Sequence, residues 1–469
     1  MSERPSNRHR SAIVIGGSTT GMLAASVLST RFDEVTVIES DKLPAGVEHR
    51  KGLPQAHHAH LLWSGGVAAL EELLPTITDI LVARGARLVN VMTDLVSKAP
   101  SGQWFRRFNN SRHHMITCSR DLLDAAIRDH VLPKPRITLI EGTRVHGLTG
   151  EKNHISGVRL SADSGMSTLG ADLVIDAGGR GSQAHKWLRD LGHPPVVERE
   201  VDAGVVYASR LYRAPGTTAE LPYPIVNVQA DPRSAPGRGG VIVPIEGGRW
   251  MVTLSGTRGG EPTDAPDEFL EFALTGLQDP IIGQLLRGAT PITDPVTTRS
   301  TRNRRRYYED SPGWPEGFAV LGDAIAGYNP VYGHGLTVAA QSVIAMRKVL
   351  DRHGPVSQGN GRRIQRAAAR PVANAWNLAV GQDAYYPGAA PNPPTAIERA
   401  LSAYVDRAVA AGAENPHALR ALLDVMSLKT PAPRLFAPDM LWNMAFGQRK
   451  GPLSGPPLSH AEREAAGLA

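Results

Sequence analysis

Three glycines and one acid near the start of the chain have the types and spacing needed to hold a phosphate-containing ligand. Gly16, Gly17 and Gly21 lie in the sequence GGSTTG, and Glu39 follows 18 residues after Gly21. Glycine lets the backbone approach a pyrophosphate, whose charge is met by free N–H groups and a helix dipole. An acid about 20 residues further on accepts hydrogen bonds from a ribose. This pattern predicts a dinucleotide site at the following residues: Gly16, Gly17, Ser18, Thr19, Thr20, Gly21, Glu39 and Ser40.

A strand–helix–strand unit has to position these residues. Residues 12–15 form a short apolar run typical of a buried strand, residues 22–28 continue at helical spacing, and residues 34–39 read EVTVIE. Ser18 stands where the G-x-G-x-x-G pattern has its middle glycine, but its side chain is small and its hydroxyl can donate to phosphate. The alternative interpretation is a glycine turn with a purely structural role.

Two further glycine-rich segments follow apolar, strand-like runs. The first is DAGGRGS at residues 176–182, and the second is GDAIAGYNPVYGHGLTVAA at residues 322–340. Together with the first turn, and in this order, they resemble the fingerprints of FAD-dependent monooxygenases with the aromatic-ring hydroxylase fold. An ordinary glycine-rich strand, loop and helix is the alternative for residues 322–340.

The resemblance implies roles for individual residues. Asp323 would reach the ribityl chain, and the N-P-x-x-G-x-G segment would bring N–H groups and a helix N-terminus to the flavin pyrimidine ring. Reduced flavin carries negative charge there, which such a terminus stabilises. The cofactor-binding residues implied in this way are Arg50, Gln55, Arg120, Asp323, Pro330, Gly333, Gly335 and Leu336. For Arg120, a solvated arginine in the first turn of a helix is the alternative.

The resemblance is strongest around RKGLPQAHHAHLL, EGGRWMVTLSG and NPVYGHGLTVAA, where the chain is similar to flavin epoxidases that act on polyene precursors of polyether antibiotics. It implies noncovalent FAD, O2, and a flavin hydroperoxide that passes one oxygen atom to an alkene of a polyene polyketide or other apolar substrate. The reductant would be NAD(P)H or a partner flavin reductase. The cofactor carries this chemistry, so no catalytic side chain is assigned.

Two other functions remain open. A flavin-dependent hydroxylase of a phenol would need a base or acceptor for the phenol hydroxyl, which the sequence does not identify. An escort-type binding protein of the same fold would not need Glu39 and Asp323. A halogenase is disfavoured because the W-x-W-x-I-P signature is absent, and HExxH, GxSxG and P-loop motifs are absent too.

Composition narrows the class of protein further. The chain has 469 residues, a net charge of +6 and a single cysteine, Cys118, which favours a reducing, cytoplasmic location. No apolar run reaches the length of a membrane span or a signal peptide. The arginine cluster at residues 302–306 is interpreted as a strand with a solvated edge rather than a nucleic-acid site. His57, His58 and His60 lack the carboxylate or cysteine spacing of a metal site.

These patterns predict an α/β fold. A Rossmann-like FAD-binding domain of the glutathione reductase type would contain an inserted antiparallel β-sheet substrate domain and be followed by a helical C-terminal region. The predicted boundaries are 1–200 and 301–350 for the two parts of the FAD-binding domain, 201–300 for the substrate domain, and 351–469 for the helical region with a flexible tail.

Overall fold

The computed structural model describes residues 9–109, 112–162, 165–219, 221–234, 236–447 and 450–468. Residues 1–8, with which the predicted first domain begins, lie outside these ranges, as does residue 469. Among the described residues, no helix combines the length and the apolar character needed to cross a membrane.

The secondary structure alternates between strands and helices in the first half and is helical near the end. The strands are β1 (Ser11–Ile15), β2 (Glu34–Ile38), β3 (Arg87–Asn90), β4 (Leu95–Lys98), β5 (His114–Thr117), β6 (Ile137–Ile140), β7 (Arg144–Glu151), β8 (His154–Ala162), β9 (Gly165–Gly170), β10 (Leu173–Asp176), β11 (Glu198–Val201), β12 (Val206–Arg213), β13 (Ile225–Val228), β14 (Arg238–Ile245), β15 (Arg249–Gly256), β16 (Thr290–Pro291), β17 (Val296–Thr298), β18 (Asn303–Arg306), β19 (Phe318–Val320) and β20 (Ala326–Gly327). The helices are α1 (Thr19–Leu28), α2 (Ser64–Leu73), α3 (Ile77–Ala83), α4 (Arg120–Val131), α5 (Ala184–Asp190), α6 (Pro266–Glu271), α7 (Ile281–Arg287), α8 (Gly335–His353), α9 (Asn360–Asp383), α10 (Ala396–Glu414), α11 (Pro416–Met426), α12 (Pro438–Phe446) and α13 (His460–Ala465).

A parallel sheet forms the centre of the predicted cofactor domain. Its order is β19-β10-β1-β2-β6, and the pairs are parallel throughout. Strands β1, β2, β10 and β19 are almost fully buried, whereas the residues of the edge strand β6 are half-buried or exposed. Helices α4 and α8 pack against α1, and the apolar residues of these helices and of the sheet share one core cluster. This arrangement confirms the predicted α/β fold class and places the turns after β1, β10 and β19 at the same edge of the sheet.

A second, seven-stranded sheet forms the predicted substrate layer. Its path is β16-β12-β15-β14-β13-β4, with β17 also paired to β12. Within residues 201–300 every strand pair is antiparallel, as predicted, and the sheet also includes β4, which lies parallel to β13 with Ile225 opposite Leu95. β4 comes from the region predicted to belong to the cofactor domain, and its four residues give too weak a periodic signal to be assigned from sequence.

Two other segments differ from their sequence-based interpretation. The arginine-rich strand β18 lies between β11 and β20, so it is a central strand and not an edge. Its arginines pair with acids, as in Arg306–Glu198 and Arg305–Glu309. The C-terminal segment predicted to be a flexible tail packs on the seven-stranded sheet, where Leu458 and Ala466 join its core and Arg107 donates to Glu462 at 2.6 Å.

Candidate active site

One large cavity joins the turns of the parallel sheet to the seven-stranded sheet and the C-terminal helices. Its volume is about 1950 Å³, and its lining includes Gly16, Glu39 and Asp323 from the first region and Thr253 and Leu423 from the second. In α/β folds, ligands bind in the crevice outside the carboxyl ends of the parallel strands. The cavity begins at that position.

The first glycine turn is shaped so that side chains are excluded from it. Gly16 has a φ of 98°, and a Cβ atom there would lie 2.6 Å from the Ala177 carbonyl oxygen. A Cβ atom on Gly21 would lie 1.8 Å from the carbonyl oxygen of Gly16. Helix α1 begins directly after Ser18, whose side chain makes no capping bond. Because first-turn N–H groups have no partner within their helix, the turn presents donors and the positive helix end to the cavity.

Glu39 is held at the end of β2 by donors on both carboxylate oxygens. Gly17 N–H donates to Oε2 at 2.7 Å, and Asp41 N–H donates to Oε1 at 3.0 Å. Arg50 Nη1 lies 3.3 Å from Oε2. Burial alone would raise the pKa of Glu39, but the two backbone donors and the Arg50 charge outweigh it and lower the pKa below its usual value. Glu39 is therefore an ionised acceptor at the cavity wall.

Arg120 braces the same turn from helix α4. Its Nη2 donates to Thr19 Oγ1 at 2.8 Å and to Ser18 Oγ at 3.2 Å, and its Nε donates to Asp124 Oδ1 at 3.0 Å. Arg120 and Asp124 are both buried, which excludes the interpretation of Arg120 as a solvated arginine. Two arginines, Arg50 and Arg120, thus face two buried acids beneath the glycine turn.

The second glycine segment forms a tight turn after β10. Asp176 is fully buried and accepts hydrogen bonds from Ser182 Oγ at 2.5 Å and from Gly178 N–H at 2.8 Å. Arg180 leaves this turn, donates to the carbonyl of Tyr328 and lines the cavity. The segment therefore connects the first turn to the third.

The third segment brings Asp323 and the N-terminus of α8 together. A Cβ atom on Gly335 would lie 3.8 Å from Asp323 Oδ1, and one on Gly322 would lie 2.5 Å from Thr20 Oγ1. Desolvation raises the pKa of Asp323, and the charges of Arg180 and Arg120 partly oppose this. Helix α8 has 19 residues and begins at Gly335, so its positive end opens onto the cavity.

A buried polar network fixes the loop that leads to α8. Asn329 Nδ2 donates to Asp383 Oδ2 at 2.9 Å, and Tyr332 Oη donates to Asp383 Oδ1 at 2.6 Å. Tyr207 Oη of the seven-stranded sheet donates to Asn329 Oδ1 at 2.9 Å. Burial raises the pKa of Asp383, although the bonds from Tyr332, Asn329 and Asn303 lower it in part. The network ties the sheet and helix α9 to the loop.

A chain of hydrogen bonds runs from His58 to two residues of the seven-stranded sheet beside the cavity. His58 Nδ1 and Ser209 Oγ are 2.8 Å apart, and Ser209 Oγ is 2.7 Å from Thr253 Oγ1. Burial, with a smaller contribution from the charge of His57, lowers the pKa of His58 to about 4. Nε2 of His58 has no hydrogen-bond partner among the residues described here, so the neutral ring keeps one free nitrogen.

The structure brings most predicted cofactor-binding residues to the cavity. The following line it: Gly16, Ser18, Thr19, Thr20, Glu39, Ser40, Arg50, Gln55, Arg120, Asp323, Pro330, Gly333, Gly335 and Leu336. Gly17 and Gly21 do not; Gly17 donates to Glu39, and Gly21 packs against Gly16.

Sequence reasoning did not identify Asp124, Arg180 or Asp383. Asp124 had a local signal, because it lies four residues after Arg120 on an amphipathic helix. Asp383 had none, since its partners come from distant segments. In the described part of the chain, no group of three or more His, Cys, Asp or Glu side chains is placed to hold a metal ion.

The fold is that of the flavin-dependent monooxygenases of the aromatic-hydroxylase type, as comparison with solved structures shows. PqsL of Pseudomonas aeruginosa, described as a probable FAD-dependent monooxygenase, matches with a TM-score of 0.56 and 19% identity over 81% of this chain and 95% of its own. The flavin-dependent brominase Bmp2 matches with a TM-score of 0.61 and 13% identity over 90% of this chain and 94% of its own.

One relative is similar in sequence. Protein Rv3254 of Mycobacterium tuberculosis is 29% identical over 398 residues, which cover 82% of this chain and 83% of the relative. No protein-family model matches the chain.

Proposed function

We propose that this protein is an FAD-dependent monooxygenase whose substrate lies between the seven-stranded sheet and the C-terminal helices. The observation that carries the proposal is the continuity of one cavity from the glycine turn, through Asp323 and the start of α8, to that second region. A dinucleotide flavin is long enough to need all three turns, and the fold is one that flavin-dependent enzymes use.

The residues present fit FAD. A Cβ atom on Gly16 or Gly21 would overlap backbone atoms of Ala177 or Gly16. Glycine at these positions therefore allows the tight turn that leaves room for a ligand. The N–H groups and dipole at the start of α1 would hold the pyrophosphate, and Glu39 would accept from the ribose. Asp323 would hold the ribityl chain, and residues 330–336 would meet the pyrimidine ring. No residue stands out as a covalent anchor, so binding would be noncovalent.

Bound FAD, once reduced, supplies the activation of O2 and the transfer of one oxygen atom to a substrate. The chain's own residues would exclude water and orient the substrate. The positive end of α8 would favour negative charge near the pyrimidine ring. The reductant would be NAD(P)H or a partner reductase, because the sequence has no second dinucleotide motif with strand context after residue 160.

The finer proposal is epoxidation of an alkene in a polyene polyketide or similar substrate. Helices α10 and α11 contribute an apolar patch to the cavity lining, beside the polar Glu398, Ser402 and Asp406 of α10, and the patch is formed by the following residues: Val405, Val409, Leu419, Leu422 and Leu423. Aliphatic side chains suit a long apolar chain and cannot activate a phenol. An electrophilic oxygen donor reacts faster with electron-rich, trisubstituted alkenes.

Hydroxylation of a phenol is the second candidate, and His58 favours it. If Nδ1 donates to Ser209, then Nε2 presents a lone pair to the cavity and can accept the phenol proton, while Ser209 and Thr253 continue the chain. A third possibility, an escort-type protein without catalysis, predicts that no flavin is bound.

A direct experiment separates these candidates. The purified protein should be yellow, and acid precipitation should release FAD into the supernatant. The reduced protein is then exposed to isotopically labelled O2 with a trisubstituted alkene or with a phenol. Label in an epoxide supports epoxidation, label in a phenol supports hydroxylation, and absence of flavin contradicts the proposal.

A further inference from the structure

The face of the seven-stranded sheet that borders the cavity carries a row of polar residues across neighbouring strands. Ser209 lies opposite Thr253, Thr253 opposite Val241, Val241 opposite Asn227, and Asn227 opposite Ser97. Directly opposed residues on adjacent strands point to the same face. Four of the five positions in this row are therefore polar on one face.

The neighbouring row, two residues along each strand, is apolar. Leu211 lies opposite Met251, Met251 opposite Val243, and Ile225 opposite Leu95. These side chains belong to a cluster with Leu419 and Leu423 of α11. The polar row is thus a local feature and not a property of the whole sheet face.

Two amides, Asn227 in this row and Gln229 two residues further along the chain, just after β13, have unused hydrogen-bonding capacity. Asn227 Nδ2 is 3.5 Å from Ser97 Oγ, and Gln229 Nε2 donates to Ser97 Oγ at 3.1 Å. No described residue donates to Oδ1 of Asn227 or Oε1 of Gln229, and both side chains line the cavity. An amide has two donors and two acceptor sites, so each keeps capacity for a ligand.

A hydrocarbon that filled the cavity would remove water from these amides without replacing its hydrogen bonds, which costs free energy. Sites built to hydrogen-bond a substrate reject analogues that lack the matching group. On α10 and α11 the aliphatic side chains of Val405, Val409 and Leu422 form an apolar patch of the cavity lining, next to the polar Glu398, Ser402 and Asp406 of α10. The apolar patch and the amides of the sheet therefore favour different chemistry on the two edges of one ligand.

We infer that the substrate is an oxygenated, amphipathic chain or ring system, with hydroxyl or carbonyl groups along the edge that faces Ser97, Asn227 and Gln229 and aliphatic surface along the edge that faces α10 and α11. This inference deepens the proposed function and rests on it for the identity of the cavity as a substrate site. It holds for an alkene and for a phenol, because the polar row recognises groups other than the reacting one.

The test uses equilibrium binding to the protein as purified, followed by tryptophan fluorescence, since Trp63 and Trp376 line the cavity. The probes are farnesylacetone, a triene that carries one ketone, and its hydrocarbon analogue, in which a methylene group replaces the carbonyl. The variant Asn227→Leu/Gln229→Met keeps side-chain volume and removes hydrogen-bonding capacity. Thr297→Val, on the exposed edge strand β17, is the control for loss of a polar group.

We expect the double variant to weaken binding of the ketone about 5-fold or more, which corresponds to one net hydrogen bond. It should leave binding of the hydrocarbon unchanged or tighter, and Thr297→Val should change neither. Equal changes for both probes, or a wild-type protein that binds the hydrocarbon as tightly as the ketone, would overturn the inference. If the double variant does not fold, as judged by its thermal unfolding, Gln229→Met alone answers the question.

Failure of the proposed function looks different. In that case the ketone preference and its loss in the variant persist, but neither probe gains an oxygen atom when the protein is supplied with FAD, reductant and O2.

Discussion

The two ends of the cavity meet their ligands in opposite ways. At the glycine-turn end, Glu39, Arg120 and Asp124 already have partners within the protein, at distances of 2.7 to 3.3 Å for their hydrogen bonds. At the sheet end, His58, Asn227 and Gln229 each keep an atom without a described partner. The polar groups of the first end are thus paired within the protein, whereas those of the second end keep capacity for a ligand.

On the proposed function, the difference reflects what each end recognises, a cofactor at the first end and a substrate at the second. A cofactor is constant, so rigid pairs and backbone donors can be fixed against it, and their geometry tolerates little change. A substrate brings its own polar groups, so the wall that receives it needs unused donors and acceptors. Perturbing the first end should therefore cost more than perturbing the second.

The largest effect is expected at Gly21. In Gly21→Ala the new Cβ would meet the Gly16 carbonyl oxygen at 1.8 Å, which forces the backbone to move. We expect destabilisation of about 1–3 kcal/mol or more and loss of FAD from the purified protein. The matched control is Gly381→Ala in helix α9, where a Cβ meets nothing within 4 Å; it should retain FAD and unfold at the same or a higher temperature. Equal FAD content in both variants would show that the glycine turn tolerates a Cβ atom as well as an open position does, and would contradict the expectation that the first end is sensitive to change.

Glu39→Gln removes a charge from the first end. We expect FAD binding to weaken by about 1.5–3 kcal/mol, the contribution of hydrogen bonds to a charged group. Glu34→Gln, an exposed residue at the start of β2, should leave binding unchanged. Titration of the apoprotein with FAD measures both, and an unaltered affinity in Glu39→Gln would exclude Glu39 as a ribose ligand.

Glu39 at the first end and His58 at the second should also affect the free energy of unfolding in different pH ranges. The pKa of Glu39 lies below its usual 4.5, so its contribution is complete above pH 4.5 and is lost as the pH falls through the folded-state pKa. The pKa of His58 falls from 6.5 to about 4, so the unfolded state binds the proton first and stability declines between pH 6.5 and 4.

Denaturant unfolding at a series of pH values tests this separation. The variant His58→Asn should show a shallower decline between pH 6.5 and 4, by about 2–3 kcal/mol at most. Glu39→Gln should keep that decline and flatten the loss below pH 4.5. Identical profiles for both variants would show that neither residue titrates as its surroundings imply.

A smaller effect is expected at Tyr207, which links the seven-stranded sheet to the loop before α8. Tyr207→Phe removes the hydrogen bond to Asn329 Oδ1. We expect about 1 kcal/mol of destabilisation and a shift in the absorption spectrum of bound flavin, because the loop before α8 loses one of its anchors. A change in stability with no spectral shift would place the loop away from the flavin.

The smallest effect is expected for an ion pair between partly exposed residues of the cavity lining. Arg233 and Asp406 form an ion pair and both line the cavity, with 58% and 38% of their side chains accessible. Asp406→Asn should change the free energy of unfolding by less than about 1 kcal/mol, and less still at high salt. A larger loss would indicate that this ion pair holds the cavity closed and is more than a surface contact.

The sequence identified most residues that line the first end and few of those that line the second. The glycine turn, Glu39 and Asp323 lie within short segments whose local pattern implies their geometry. The polar row depends on β4, β12, β13, β14 and β15, which pair over a span of more than 150 residues, and no local pattern specifies which residues face one another. Asp383 was missed for the same reason, whereas the α/β class followed from the strand–helix–strand pattern around the glycine turn and from the resemblance to FAD-dependent monooxygenases.

Because β4 pairs with β13, the seven-stranded sheet includes residues 95–98, which are far from residues 201–300 in the sequence. A boundary drawn at residue 201 therefore does not separate the two sheets. A fragment of residues 201–300 would lack β4 and would expose the edge of β13, a site for association with other chains. It would also lack Ser97, the shared partner of Asn227 and Gln229. On the proposed function, a transfer of this sheet to a protein of the same fold would therefore have to include residues 95–98, and substrate specificity would depend on two separate stretches of the sequence.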